Sequence, residues 1–167
     1  MAAETACFRE FVTSNSRDLQ RTAWLLTGDW AAAEDLVQTV LLRCWPRWSS
    51  IAAPESYVRS ALVRSFVSTR RRRWMGEQPT AALADLPAPD AISPADVRAS
   101  VRSSLAALSP RERAVVVLRY YADMSEADTA TALGVSAGSV KRYASDALAK
   151  LRADPALHGL LTEEVTP

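Results

Sequence analysis

Arg70, Arg71, Arg72 and Arg73 form the densest block of a single chemistry in this chain of 167 residues. Each guanidinium is a planar fork of donors that matches phosphate oxygens. One or two arginines at a helix end would serve as a solvated cap favoured by the helix dipole. A run of four circles the whole helix, and Arg59 and Arg64 lie just upstream. That pattern fits a nucleic-acid backbone. A second group of polar tips, Ser136, Ser139, Lys141, Arg142 and Ser145, follows a tight-turn signal near the C-terminus. Its residue types suit base edges and phosphates in a major groove.

Other chemistries are poorly supplied. The chain has no Gly-rich phosphate loop, no metal-spaced cluster and no nucleophile motif. Its one histidine, His158, lies in an acidic tail with nothing near it in sequence to orient it. The expectation is a protein that is not an enzyme, with no catalytic residue, no metal and no cofactor. Cys7 and Cys44 are too few for a disulfide scaffold and lack zinc-ligand spacing. Two reduced thiols in the cytoplasm are expected. No apolar run approaches ~18 residues, so no membrane span is expected, and the acidic start at Glu4 does not read as a secretory signal.

The elements that must carry these groups read as all-α. Glycine is scarce, at five residues, and long alternating β-branched runs are absent. Phe8, Phe11, Val12, Leu19, Ala23 and Leu26 recur at helical spacing. Ala33, Leu36, Val37, Val40, Leu41 and Trp45 form a second stripe after the Gly28-Asp29 break. A third, Tyr57, Ala61, Leu62 and Phe66, runs into the arginines, and the three should pack as a small bundle. All five tryptophans fall within this first block; most are expected to pack in or beside the core.

Farther along, Ser93-Pro94 and Ser109-Pro110 each open a helix with a capping serine and a proline at the first position. The second of these continues its apolar stripe through Ala114, Val115, Val117, Leu118 and Tyr121. Residues 125–142 then carry a helix-turn-helix pattern. Ala130 is small where two helices cross, Gly134 can take the positive φ of the turn, and Val140 anchors the second helix. Leu133 and Val135 flank the turn as buried residues, and Ser136 caps the second helix.

Charge separates these blocks. The overall net charge is +1, but residues 1–76 carry +4, residues 77–97 carry −4, residues 98–152 carry +4 and residues 153–167 carry −3. The stretch 77–93 is rich in proline and alanine, holds acids and no base, and reads as a tether. Fully extended it would span roughly 55 Å. The expected organisation is therefore two small helical domains, 1–76 and 94–153, joined by a flexible acidic linker at 77–93 and followed by an acidic tail at 154–167.

The ordered pair of blocks resembles a known family. The segment Asp35-Leu36-Val37-Gln38-Thr39-Val40-Leu41-Leu42 is similar to sigma region 2. Leu108 to Arg113, Val140-Lys141-Arg142 and Leu148 to Arg152 are similar to sigma region 4. Their order, with a short linker and no other region, resembles the extracytoplasmic function (group 4) sigma factors of bacteria, and the alanine- and arginine-rich composition resembles actinobacterial members.

The resemblance implies binding to the clamp and flap of core RNA polymerase, recognition of promoter DNA, and in many members a covering anti-sigma factor. It implies that Asp35, Gln38, Leu41 and Leu42 dock on the polymerase clamp. Trp48, Tyr57, Arg64 and Arg70 to Arg73 would hold the minus-ten element, and Ser136, Ser139, Lys141, Arg142 and Ser145 the minus-thirty-five element. Arg64 replaces an asparagine common in the family, and Asp146 a basic residue, so the promoter sequence does not carry over. The alternative is a helix-turn-helix regulator that binds duplex operators without polymerase. A protein-only adaptor would leave both basic blocks unexplained.

Overall fold

A computed structural model describes residues 2–74, 95–155 and 157. The chain divides into two compact units, Met1–Ala81 and Ala82–Pro167. The linker, the C-terminal tail and His158 lie largely outside the described residues, and of the arginine run only Arg70 has a described side chain. All regular structure among the described residues is helical.

In the first unit, α1 (Ala2–Thr27), α2 (Trp30–Cys44) and α3 (Pro54–Trp74) pack on one another. Gly28 ends α1 at φ +74°, where only glycine is unstrained. Asp29 then caps α2, its carboxylate accepting from the Ala32 amide at 2.7 Å. Leu19, Ala23 and Leu26 meet Leu36, Val37 and Val40 in a core completed by Val58, Leu62, Val63 and Phe66. Each large aliphatic side chain buried there contributes about 1.5–3 kcal/mol. Pro54 starts α3 at the first helical position, three residues ahead of the apolar stripe. Arg59 ties α3 to α1 through Asp18 at 2.7 Å.

A 3-10 segment, Trp45–Ser50, joins α2 to the loop before α3 and kinks at Arg47. It is fixed by an aromatic cluster: the Phe8 ring lies 4.9 Å from Trp45 and 4.8 Å from Trp48, and Phe11 lies 4.9 Å from Trp48.

The second unit comprises α4 (Ala95–Ala106), α5 (Pro110–Val116), a π-helical turn (Val117–Tyr121), α6 (Glu126–Leu133) and α7 (Ala137–Arg152). Ser109 and Glu112 form a reciprocal capping box at the start of α5. Gly134 adopts the left-handed conformation at φ +63° and closes α6, and Ser136 caps α7 through the Ser139 amide at 3.1 Å. Val115, Ala130 and Val140 form the crossing point of the helices, with Leu133 and Val135 half-buried against it.

One expectation is corrected here. Tyr121 does not continue the buried stripe of α5; it is 41% exposed, as is Tyr120 at 56%. The Ala122 amide donates to the Val117 carbonyl five residues back, at 2.9 Å. This wider turn shifts the register by one residue and swings both rings outward. Asp123, at φ +50°, then turns the chain toward α6.

Candidate nucleic-acid and protein-docking surfaces

The first surface is a strip on α2. Asp35, Gln38 and Leu42 follow helical spacing along one exposed face, with Leu41 half-buried beside them. Gln38 donates to Glu34 at 3.2 Å, leaving its carbonyl oxygen outward as an acceptor. Leu42 is 73% exposed, the most exposed large apolar side chain described, and stands beside a carboxylate and an amide.

The second surface is a cavity of about 440 Å³ where α2, the 3-10 segment and α3 meet. Tyr57 and Arg64 line it, as do Arg43, Arg47, Ser65 and Ser68. Sequence reasoning missed Arg43 and Arg47. Their four-residue spacing across the end of α2 was the available signal. Cys44 borders the cavity but is buried; burial pushes its thiol up, and the charges of Arg47 and Arg64 only partly oppose this. The site is therefore cationic and rich in donors, with a phenol ring in one wall.

Trp48 does not join that wall. It is buried against Phe8 and Phe11, so its ring faces belong to the core and are not presented to a base. Arg70 is exposed, its guanidinium 5.8 Å from the Phe66 ring centroid. The side chains of Arg71, Arg72 and Arg73 lie outside the described residues, although the backbone there is helical.

The third surface is α7. Ser136, Lys141, Arg142 and Ser145 are exposed, and Ser139 is half-buried. Lys141 approaches the Glu126 carboxylate of α6 at 3.7 Å. On the opposite flank, Arg111 of α5 donates to the Tyr143 hydroxyl at 3.1 Å. This hydrogen bond is the main cause of a lowered phenol pKa; burial opposes it, and a hydrogen bond from Arg142 and the charges of both arginines add to it. Farther along, Lys150 donates to both oxygens of Glu112 at 2.8 Å. The second helix of the turn is thus braced on both flanks and open outward, as insertion into a groove requires.

Comparison with known families places the two helical units. Residues 11–75 match the family model for sigma-70 region 2, and residues 98–151 match that for sigma-70 region 4. The RNA polymerase sigma-E factor of Streptomyces avermitilis is 38% identical over 148 residues, covering 87% of this chain and 83% of the relative. The ECF RNA polymerase sigma factor SigL of Mycobacterium tuberculosis is 35% identical over 159 residues, covering 90% of each. This chain belongs to the sigma-70 family.

It is an extracytoplasmic-function type RNA polymerase sigma factor, which directs transcription. The stand-alone regulator is not favoured, because region 2 accounts for the block that such a regulator would not need. Among solved structures, the fold is similar to that of the sigma factor RpoE of Bartonella quintana, captured with the anti-sigma factor NepR. That likeness has a TM-score of 0.71 at 24% identity and covers 87% of this chain and 94% of that one. CnrH, solved with the cytosolic domain of CnrY, matches at a TM-score of 0.63 and 19% identity, covering 97% and 91%. Among the described residues, no helix is long and apolar enough to cross a membrane.

Proposed function

We propose that region 2 of this sigma factor spans residues 1–76 and region 4 residues 94–153, and that three surfaces divide the work of initiation. The α2 strip of Asp35, Gln38, Leu41 and Leu42 docks on the clamp of core RNA polymerase. The exposed leucine supplies apolar contact, and the carboxylate pairs with cations of the partner. The cavity walled by Tyr57, Arg43, Arg47 and Arg64 receives an unpaired base of the minus-ten element with its phosphate. The arginines from Arg70 to Arg73 hold the same strand along α3. Trp48 acts there indirectly, by fixing the 3-10 segment that positions Arg47.

Region 4 contacts the polymerase flap and places α7, capped by Ser136, in the major groove of the minus-thirty-five element. Ser139, Lys141, Arg142 and Ser145 are its polar tips. The acidic linker imitates nucleic acid within the polymerase cleft. An anti-sigma factor covers the docking surfaces when transcription is not called for. The protein itself catalyses no reaction and works in the cytoplasm beside polymerase.

The observation that carries this reading is the convergence of Arg43, Arg47, Arg64 and Tyr57 on one cavity of base-accommodating size. The test is run-off transcription from fragmented genomic DNA of the source organism, with core polymerase and with or without the protein. New discrete starts sharing a two-part upstream motif are expected. Their disappearance in R47A and R64A, with core co-elution intact, would assign the cavity to DNA. Unchanged starts in both variants would overturn that assignment.

A further inference from the structure

The outward face of α7 holds two groups of opposite hydrogen-bonding character. By helical spacing, Gly138, Arg142, Ser145, Asp146 and Ala149 share that face, and all are exposed. The other charged and polar groups of α7 are engaged on its flanks, Lys141 with Glu126, Tyr143 with Arg111 and Lys150 with Glu112. Among the described residues, neither Arg142 nor Asp146 makes an ion pair, so the two do not neutralise each other. An arginine can only donate, and an ionised carboxylate can only accept.

A carboxylate pointed at DNA has no use for phosphate, which repels it. It is satisfied only by a base-edge donor, and the major groove offers the amino groups of cytosine and adenine. On adenine that donor stands beside the N7 acceptor, which repels a carboxylate; the cytosine edge carries a donor alone. Arginine has the complementary preference, donating both arms to guanine O6 and N7. Residues four apart on a helix are separated by roughly 6 Å along its axis. Base pairs are ~3.4 Å apart, so the two groups fall on pairs one or two steps apart.

The arginine is also held for this task. Its guanidinium carbon lies 5.2 Å from the Tyr143 ring centroid, and the Tyr143 hydroxyl is fixed by Arg111. Arg142 also hydrogen-bonds the Tyr143 hydroxyl, so ring and oxygen together fix the direction of its planar fork, whose remaining donors stay available. Nothing in the fold requires Gly138 to be glycine: its φ is helical, and an added Cβ would meet only Ser136 Oγ, at 3.9 Å. Its smallness instead clears space on the outward face, one turn ahead of Arg142.

We propose that Arg142 and Asp146 are the base-specifying pair of region 4, selecting a guanine and, one or two base pairs along, a cytosine, with Tyr143 as the positioning residue of Arg142. This rests on α7 being the minus-thirty-five recognition helix.

The test is transcription by the reconstituted holoenzyme, full chain plus core, from a promoter library randomised upstream, with transcripts counted by sequencing. The wild type should enrich a guanine and a cytosine at nearby positions of one box. D146N should exchange the cytosine preference for adenine, because an amide can pair with both N6 and N7. R142A should reduce the guanine preference about tenfold and leave the cytosine. Y143F, which keeps the ring and loses the hydroxyl's bonds to Arg111 and Arg142, should weaken the guanine preference alone. A box with unchanged base preferences in D146N overturns the pair. An unchanged guanine preference in Y143F overturns the positioning role. Transcripts without any shared upstream box in the wild type overturn the recognition-helix reading and the pair with it.

Discussion

Lys150, near the end of α7, donates to both carboxylate oxygens of Glu112, in the first turn of α5, at 2.8 Å each. The same carboxylate accepts from the Ser109 amide at 2.8 Å and so closes the α5 capping box. One buried acid thus serves a helix start and a helix–helix contact. Burial pushes its pKa up, but hydrogen bonds from Lys150 and Ser109 outweigh this and leave it below the ordinary value.

A pH dependence follows from that balance. A folded pKa below the unfolded one gives stability that is present above ~4.3 and lost as pH falls through the folded value. Glutamine can keep the capping geometry but not the charge. E112Q should therefore cost about 1 kcal/mol near neutrality, a modest figure because Lys150 is half exposed. It should also flatten the loss of stability between about pH 5 and 3. Urea melts of the full chain across that range measure both effects; equal acid slopes for the two proteins would refute the role given to the charge.

Gly134 is required for its backbone angle and not for space. A Cβ added there would meet nothing within 4 Å, yet φ is +63°. G134A should destabilise the helix-turn-helix by about 1–2 kcal/mol, the cost of a left-handed alanine. G134N should recover part of this, since asparagine tolerates that region. A loss in G134N equal to that in G134A would point to sterics instead.

Trp48 and Trp45 separate burial from exposure within one aromatic cluster. Trp48 is 6% exposed and Trp45 40%. W48A should cost about 3–5 kcal/mol in denaturant melts, and W45A less than half of that. W48F should retain the fold and much of the transcription, because the 3-10 segment stays packed. Full stability in W48A would return Trp48 to the DNA-contacting residues.

Leu42 makes the opposite case. Its exposure means that L42D should change stability by less than ~0.5 kcal/mol. On the proposed docking face, the same change should weaken core polymerase binding at least tenfold, as measured by titration of labelled core. D35K should do likewise by reversing the charge. Core affinity unaltered in both variants would move the docking face elsewhere.

Much of this was legible along the chain because the rules involved are local. The capping serine, the proline at N1, the acid at Ser109-Pro110-Arg111-Glu112 and the glycine of the turn act within about four residues. Their outcomes matched: Ser109 and Ser136 are caps, and Gly134 is left-handed. The periodic stripes placed Leu19, Ala23, Leu26, Val37 and Val40 in the core.

The rest was decided by what packs against what. Trp48 turned inward because Phe8 and Phe11 of α1 offer it ring faces, a contact across some forty residues. Arg43 and Arg47 joined Arg64 only because α2 and α3 pack side by side around the kinked segment. A π turn moved Tyr121 out of a stripe that simple periodicity kept inside. On α7 the sequence offered a row of polar residues without order; neighbours on both flanks engaged Lys141, Tyr143 and Lys150 and left Arg142 and Asp146 facing out. By itself the sequence determined helices, caps, turn and family, since each depends on spacing along one chain. Which side chains stay exposed was settled only in three dimensions, because rotation about a helix axis is set by the surfaces that bury its other side.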